Sequence, residues 1–210
     1  DIRCGVDVGR DVTLAQLREQ GYKAFYIAIG CQGGRKAGVP GENAAGIETA
    51  VHLLRTVGGD ESHKMQGKTV VIGGGNTAMD TARAAKRCDG VEHVYLVYRR
   101  TKRYMPADEH ELVLAVEDGV EFRELLAPEK LENGQLICRV MKLGELDASG
   151  RAGIVETDET VAVPADRVIA AVGEKVPTDF YEANGLQVDD RGRVKVSPTL
   201  ESSVENVYVI

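Results

Sequence analysis

No CxxC occurs in this sequence. Its four cysteines, Cys4, Cys31, Cys88 and Cys138, lie 27, 57 and 50 residues apart. That spacing excludes a zinc ribbon, an iron–sulfur ligand run and a dithiol redox pair. Reduced, mostly buried thiols are expected, and with them a cytoplasmic setting. The four histidines, His52, His63, His93 and His110, never stand at i, i+4 with a third ligand nearby, so no metal site is expected. No apolar run approaches the roughly 20 residues of a membrane span, and no signal peptide is expected. The balance of 26 basic against 33 acidic residues leaves −7, which argues against a nucleic-acid binder. Gly67-Lys68-Thr69 looks like the end of a phosphate-binding loop, but the full pattern needs glycine where Ser62 stands, and here GKT precedes its strand. G-x-S-x-G is missing too, and spacing reveals no Ser–His or Cys–His pair. No general acid, base or nucleophile is assigned. The sequence begins at Asp1 without methionine and stops at Ile210 within an apolar run, so a piece of a longer protein is expected.

Glycine is plentiful: 24 in 210 residues, above the usual level of about 7%. Apolar runs lie between the glycines, which points to tight turns and close backbone approaches. Thr13 and Gln16 form a capping box for a short helix that Gly21 can stop. YKAFYIAIG reads as a buried parallel strand, and residues 31–46 as a loop. Ile47, Ala50, Val51, Leu54 and Val57 have helical spacing, ending at Gly58-Gly59. GGDESHKMQG reads as a flexible linker. From about residue 67 a new unit begins, with TVVI as a buried strand, a helix from Asn76 and the second strand HVYLVYRR. A further helix starts at Pro106, with Leu112, Val113 and Val116 as its apolar positions and Gly119 as its stop. VEFRELL is strand-like, Asn133-Gly134 is a strong hairpin signal, ASGRAG is a turn, and TVAV and RVIAAVG are strands. Beyond Glu174 a helix over 178–183 and strand-like pieces at 186–188, 193–196 and NVYVI complete the chain.

The informative element is the turn after TVVI. Gly73-x-Gly75-x-x-Ala78 fits G-x-G-x-x-[G/A] with a strand before it and a helix opening behind it. Gly73 allows the tight turn, Gly74 continues it, Gly75 lets a pyrophosphate reach the backbone, and Ala78 packs the helix close to the sheet. N–H groups at the helix start, at Asn76 and Thr77, would face the pyrophosphate. The end of the second strand selects the nucleotide. An NAD site would place a carboxylate there, whereas this chain has Tyr98-Arg99-Arg100, then Lys102 and Arg103. Guanidinium forks bind a 2′-phosphate that a carboxylate would repel. The expectation is NADPH, held by Arg99 and Arg100, with Arg103 as an outer candidate.

VVIGGGNTAMDTARAA, VYLVYRRTKRYMPADEHEL and LLAPEKL together resemble the NADPH-binding module of the glutamate synthase small-subunit-like flavoproteins, a group that includes dihydropyrimidine dehydrogenase modules. RVMKLGELDASGR and RVIAAVGE are similar to the selenate reductase iron–sulfur subunits of that group. The resemblance covers nearly the whole chain. It implies an α/β fold: a Rossmann-like NAD(P)-binding domain with a β-meander, inserted in an incomplete FAD/NAD(P)-binding domain. Residues 1–63 would be an FAD-domain segment and linker, 64–171 the NADPH domain, and 172–210 a second FAD-domain segment. YIAIG and the stretch ending at Gly173 would be the crossings between domains. The family's FAD glycine turn and Gly-Asp pair are missing, so the piece is expected to hold little or no FAD. The whole protein is expected to be an NADPH-dependent flavin oxidoreductase. It would pass hydride to FAD and electrons through iron–sulfur clusters to an acceptor domain or subunit. A non-catalytic nucleotide sensor or scaffold, and a disulfide reductase that would need a CxxC, are the alternatives. Its partners would be a nicotinamide dinucleotide and that acceptor, with neither nucleic acid nor membrane.

Overall fold

A computed structural model describes residues 1–43, 46–60 and 62–210. Ala44 and Ala45 of the expected loop, and Glu61 of the expected linker, lie outside the described residues. The chain forms two compact units, one of Asp1–Gln32 with Lys175–Ile210 and one of Gly33–Glu174. In the first, α1 (Leu14–Glu19) opens on the expected capping box. The Thr13 hydroxyl accepts the Gln16 N–H, and Gln16 Oε1 accepts the Thr13 N–H. The strand β1 (Phe25–Ile27) follows.

The second unit runs through β2 (Gly33–Gly34), β3 (Ile47–Thr49), α2 (Ala50–Gly59), β4 (Lys64–Ile72), α3 (Asn76–Arg87) and β5 (Asp89–Tyr98). It continues with α4 (Glu109–Glu117), β6 (Glu121–Glu124), β7 (Leu126–Glu132), β8 (Gln135–Leu146), β9 (Ala152–Pro164) and β10 (Arg167–Ala170). Five strands form a parallel sheet in the order β3-β10-β4-β5-β6. Side chains alternate across a strand, so a sheet covered on both faces needs unbroken apolar runs. That is why Val70, Val71 and Ile72 are all buried. Val71, Leu96 and Ile169 face a core shared with Leu53, Met79 and Leu112 of the helices. Val70, Val97 and Val168 face Leu126, Leu136 and Val163 of a second sheet, β7-β8-β9.

That second sheet is the expected meander. Asn133 and Gly134, at φ 51° and 70°, join β7 to β8 in the two-residue turn that needs left-handed backbone at both positions. On the other face, Ala78, Ala82 and Ala85 of α3 are fully buried, and their small size brings the helix close to the sheet. The chain closes through β11 (Glu174–Lys175), α5 (Thr178–Ala183) and β12 (Val207–Val209). β12 pairs in parallel with β1, and Leu14, Ile27, Tyr181 and Val207 form the core of that unit.

Several expectations are corrected. Ile47–Thr49 is strand rather than helix, because these residues pair with Val168–Ala170, and α2 starts at Ala50 and runs through Gly58 and Gly59. The expected linker already contains the start of β4, and its Met65 is fully buried. Consequently the unit around the sheet begins at Gly33 and ends at Glu174, not at 64 and 171, since β3 and α2 complete its sheet and core. The helix expected at Pro106 starts at Glu109. Ala107 donates its N–H to the Gly74 carbonyl, and Asp108 caps the helix by accepting the His110 N–H. Leu112 and Ala115 are its buried residues, while Val113 and Val116 point outward. ASGRAG overlaps β9, which begins at Ala152. Of the strand-like pieces after Gly185, Val188 and Val194 form one isolated bridge.

Candidate nucleotide site

Within the Gly33–Glu174 unit a cleft of about 580 Å³ lies at the C-terminal ends of β4, β5 and β10, where Ile72, Val97 and Ala170 line it. β5 continues the sheet on one side of β4 and β10 on the other. A crevice forms at such a reversal of strand order, and ligands of open α/β sheets bind there.

The three glycines that follow β4 are needed for three different reasons. Gly73 donates its N–H to the Val97 carbonyl at 3.1 Å, and a Cβ there would collide with the Ala171 carbonyl oxygen and lie 3.0 Å from Ala78 Cβ. At Gly74 a Cβ would strike the Tyr98 ring. Gly75 is unlike both. Its φ of −98° suits any residue, and a Cβ would meet no atom within 4 Å. Glycine serves there as the N-cap of α3, and the missing side chain leaves space against the backbone for something else. Gly75 also caps α3 without a side-chain hydrogen bond, so the first-turn N–H groups, with the helix dipole behind them, face the cleft beside Thr77.

Of the residues expected at the site, Gly73, Gly74, Gly75, Thr77, Arg99, Arg100 and Gly173 line this cleft. Ala78 is buried beneath the turn. Asn76 is a tie rather than a lining residue, its Oδ1 accepting the Asp108 N–H at 2.9 Å. Gly173, at φ +121°, accepts the Arg35 N–H at 2.9 Å. Arg103 stands outside, its guanidinium 5.7 Å from the Tyr104 ring centroid. Arg99 is exposed. Arg100 donates from Nε to the Ala152 carbonyl at 3.0 Å, while its Nη1 is buried without an acceptor among the described residues. A lining cation missed by the sequence reading is Arg151. It comes from the β8–β9 turn, and nothing local marks it out.

The two buried thiols are held protonated. Burial pushes the Cys138 thiol up to about 12, and burial also raises Cys88. Among the described residues no group of three or more His, Cys, Asp or Glu could hold a metal ion. No helix among them is long and apolar enough to cross a membrane.

A glycine turn between a buried parallel strand and an uncapped helix, at a reversal of strand order, defines a dinucleotide-binding α/β module. The chain belongs to the pyridine nucleotide-disulphide oxidoreductase family, whose model matches residues 3–210. It is 40% identical to the protein YgfK of Escherichia coli K12 over 201 residues, covering 95% of this chain and 19% of that protein. Similarity to the NADP(+)-dependent formate dehydrogenase subunit beta of Moorella thermoacetica reaches 38% over 99% of this chain and 30% of the relative. The glutamate synthase [NADPH] small chain of E. coli K12 is 34% identical over 92% of this chain and 45% of its own length. The chain thus spans less than half of each of these relatives. The same fold is found in FprA from Mycobacterium tuberculosis in complex with NADPH, at TM-score 0.73 and 23% identity, covering 98% of this chain and 61% of that one.

Proposed function

We propose that the Gly33–Glu174 unit binds NADP(H) in this cleft and prefers it to NAD(H). The observation that carries the reading is the open space at Gly75. Gly75 stands at the cleft between β4 and α3 with open space where a Cβ would be, so a pyrophosphate can come against the backbone there, and α3, which has no side-chain cap, suits its charge. The backbone around Gly73, Gly74, Gly75, Asn76, Thr77 and Ala78 forms the pyrophosphate cradle, and Gly173 flanks it from the end of β10. Arg99 and Arg100 hold the 2′-phosphate. The buried Nη1 of Arg100 supports this, since an unpaired buried donor is costly and an anionic oxygen would satisfy it. Arg103 stays an outer candidate, outside the lining of the cleft.

The relatives' names carry the reading further. They include an NADPH glutamate synthase small chain, an NADP(+)-dependent formate dehydrogenase subunit and an NADPH-Fe(3+) oxidoreductase subunit of Geobacter sulfurreducens. The whole protein is accordingly proposed to be an NADPH-dependent flavin oxidoreductase. Its bound NADPH would supply a hydride to FAD, and the electrons would leave through iron–sulfur clusters to an acceptor domain or subunit. The Asp1–Gln32 and Lys175–Ile210 unit would belong to the FAD domain. A cytoplasmic setting is part of the same proposal. The residues of this chain act by binding and orientation, and none is assigned a proton-transfer role.

Titration calorimetry tests the nucleotide assignment. Two charge-assisted contacts of about 1.5–3 kcal/mol each give on the order of a hundredfold preference for NADPH over NADH. Arg99→Ala with Arg100→Ala should remove most of that preference and leave NADH binding nearly unchanged. Equal affinity of the wild type for both nucleotides would overturn the assignment.

A further inference from the structure

We infer that Arg151, carried on the turn between β8 and β9, is a third guanidinium for the 2′-phosphate and sets how strongly the site discriminates NADPH from NADH. The inference rests on the nucleotide site proposed above and extends it to a segment far from the glycine turn in sequence.

Three observations converge on it. First, Arg151 lines the same cleft as Arg99 and Arg100, and among the described residues none of the three forms an ion pair. Against these three cations stand Glu174, which also lines the cleft, and Asp147, whose carboxylate feels the Arg151 charge without forming an ion pair with it, so a dianionic phosphomonoester finds an excess of positive charge there. Second, Arg151 is held in place. Asp147 Oδ1 accepts the backbone N–H of both Ser149 and Arg151 and the Ser149 hydroxyl, and the Asp147 N–H donates to the Arg151 carbonyl at 2.9 Å. The Asp147 carboxylate is thereby engaged in building the turn. At the other end, Arg151 Nη2 reaches the Tyr98 hydroxyl at 3.3 Å and the Tyr104 carbonyl at 3.5 Å. Both partners are neutral and both contacts are long, so they aim the guanidinium and leave its N–H groups free to take a stronger acceptor. Third, the turn is fastened to the strand end that carries the other two arginines, since Arg100 Nε donates to the carbonyl of Ala152, the residue next to Arg151. One anion placed against the buried Nη1 of Arg100 would lie beside this turn.

Tyr98 is then a positioning residue. Its ring covers Gly74, and its hydroxyl donates to the Tyr104 carbonyl at 2.8 Å while receiving Arg151. The ring thus packs on the glycine turn while the hydroxyl links the 101–104 segment to the meander turn.

The test compares NADPH, NADH, adenosine 2′,5′-bisphosphate and ADP by calorimetry on the wild-type chain and on Arg151→Ala. Arg151 is exposed, so the variant should keep the wild-type melting temperature. The expected result is a loss of at least about tenfold for NADPH and for the 2′,5′-bisphosphate, with NADH and ADP within about twofold of wild type. Arg151→Lys should recover part of the loss, since charge returns without the planar fork. Tyr98→Phe should weaken NADPH by a smaller factor in the wild type and have no further effect in the Arg151→Ala background, because the hydroxyl acts through Arg151. A wild type that favours NADPH while Arg151→Ala keeps the same ratio overturns this inference and spares the nucleotide assignment. A wild type without preference overturns the assignment itself. Equal losses for NADPH and NADH would place Arg151 on the pyrophosphate and also overturn its role at the 2′-phosphate.

Discussion

Replacing Gly75 by alanine adds one methyl group at a point where the protein has no atom to meet it. Two opposing terms set its effect on stability. Alanine is the poorer helix N-cap, at a cost of about 0.5–1 kcal/mol. It also restricts the unfolded chain, which returns about 0.4–1 kcal/mol where the native backbone suits it, and a φ of −98° does. The terms nearly cancel, so the melting temperature should move by less than about 3 °C for a chain of this size. Gly74→Ala makes the contrast, because its methyl meets the Tyr98 ring. Overpacking of that kind costs about 1–3 kcal/mol. Nucleotide binding should rank the two differently. The Gly75 methyl stands where the pyrophosphate must approach, and even a small retreat weakens the helix-terminal hydrogen bonds. A loss of about tenfold or more is expected for NADPH and NADH alike, since both share the pyrophosphate. Thermal unfolding and calorimetry on the purified chain read the two effects separately. Unchanged affinity in Gly75→Ala would refute the reasoning, and so would a destabilisation larger than that of Gly74→Ala.

Leu53→Ala should cost about 2–5 kcal/mol in urea unfolding, because Leu53 is fully buried among the sheet and helices; a loss under 1 kcal/mol would detach α2 from that core. Asn133→Val should destabilise the meander by about 1–2 kcal/mol, as a β-branched residue is forced to φ 51°, and an unchanged denaturation midpoint would contradict the turn. Under native conditions at mild alkaline pH a thiol reagent should label exposed Cys4 and leave Cys138, whose pKa is about 12, unlabelled until the chain unfolds; early labelling of Cys138 would be contrary evidence. Asp189 is held at about 2 by hydrogen bonds from the Arg193 backbone and side chain, against 3.8 for a free carboxyl. Its folded pKa is depressed, so its contribution to stability is complete above pH 3.8 and lost as pH falls towards 2. Carboxyl NMR should show that low midpoint, and Arg193→Ala should raise it.

The parts of the fold that declared themselves in the sequence were those fixed by local physics. Val70, Val71 and Ile72, the three glycines and the alanines of α3 form one strand–turn–helix within a short stretch. Asn133-Gly134 needs only its own backbone to make a turn. By contrast Ile47–Thr49 owes its strand to Val168–Ala170, and a helical spacing of apolar residues concealed it. Val113 and Val116 fit the helical pattern as well as Ala115 does, and only the neighbouring elements decide which face is covered. The cleft was half legible. Its glycines and the arginines after Tyr98 follow a strand end, whereas Arg151 enters from a later hairpin, where an arginine in a polar turn reads as ordinary surface.

The place of β10 between β3 and β4 has a consequence for how the chain assembles during synthesis. The meander strands are neighbours in sequence and can pair as they emerge. Sequentially distant pairings must wait, and closing a long loop costs entropy before any contact compensates. β3 and β4 emerge early, yet neither bonds the other in the finished sheet, because β10 is hydrogen-bonded to both. Until Arg167–Ala170 leaves the ribosome, the two strands present open edges that face one vacancy. The last strand of the parallel sheet is therefore its keystone, and a chain interrupted ahead of it would keep two unpaired edges available to other chains.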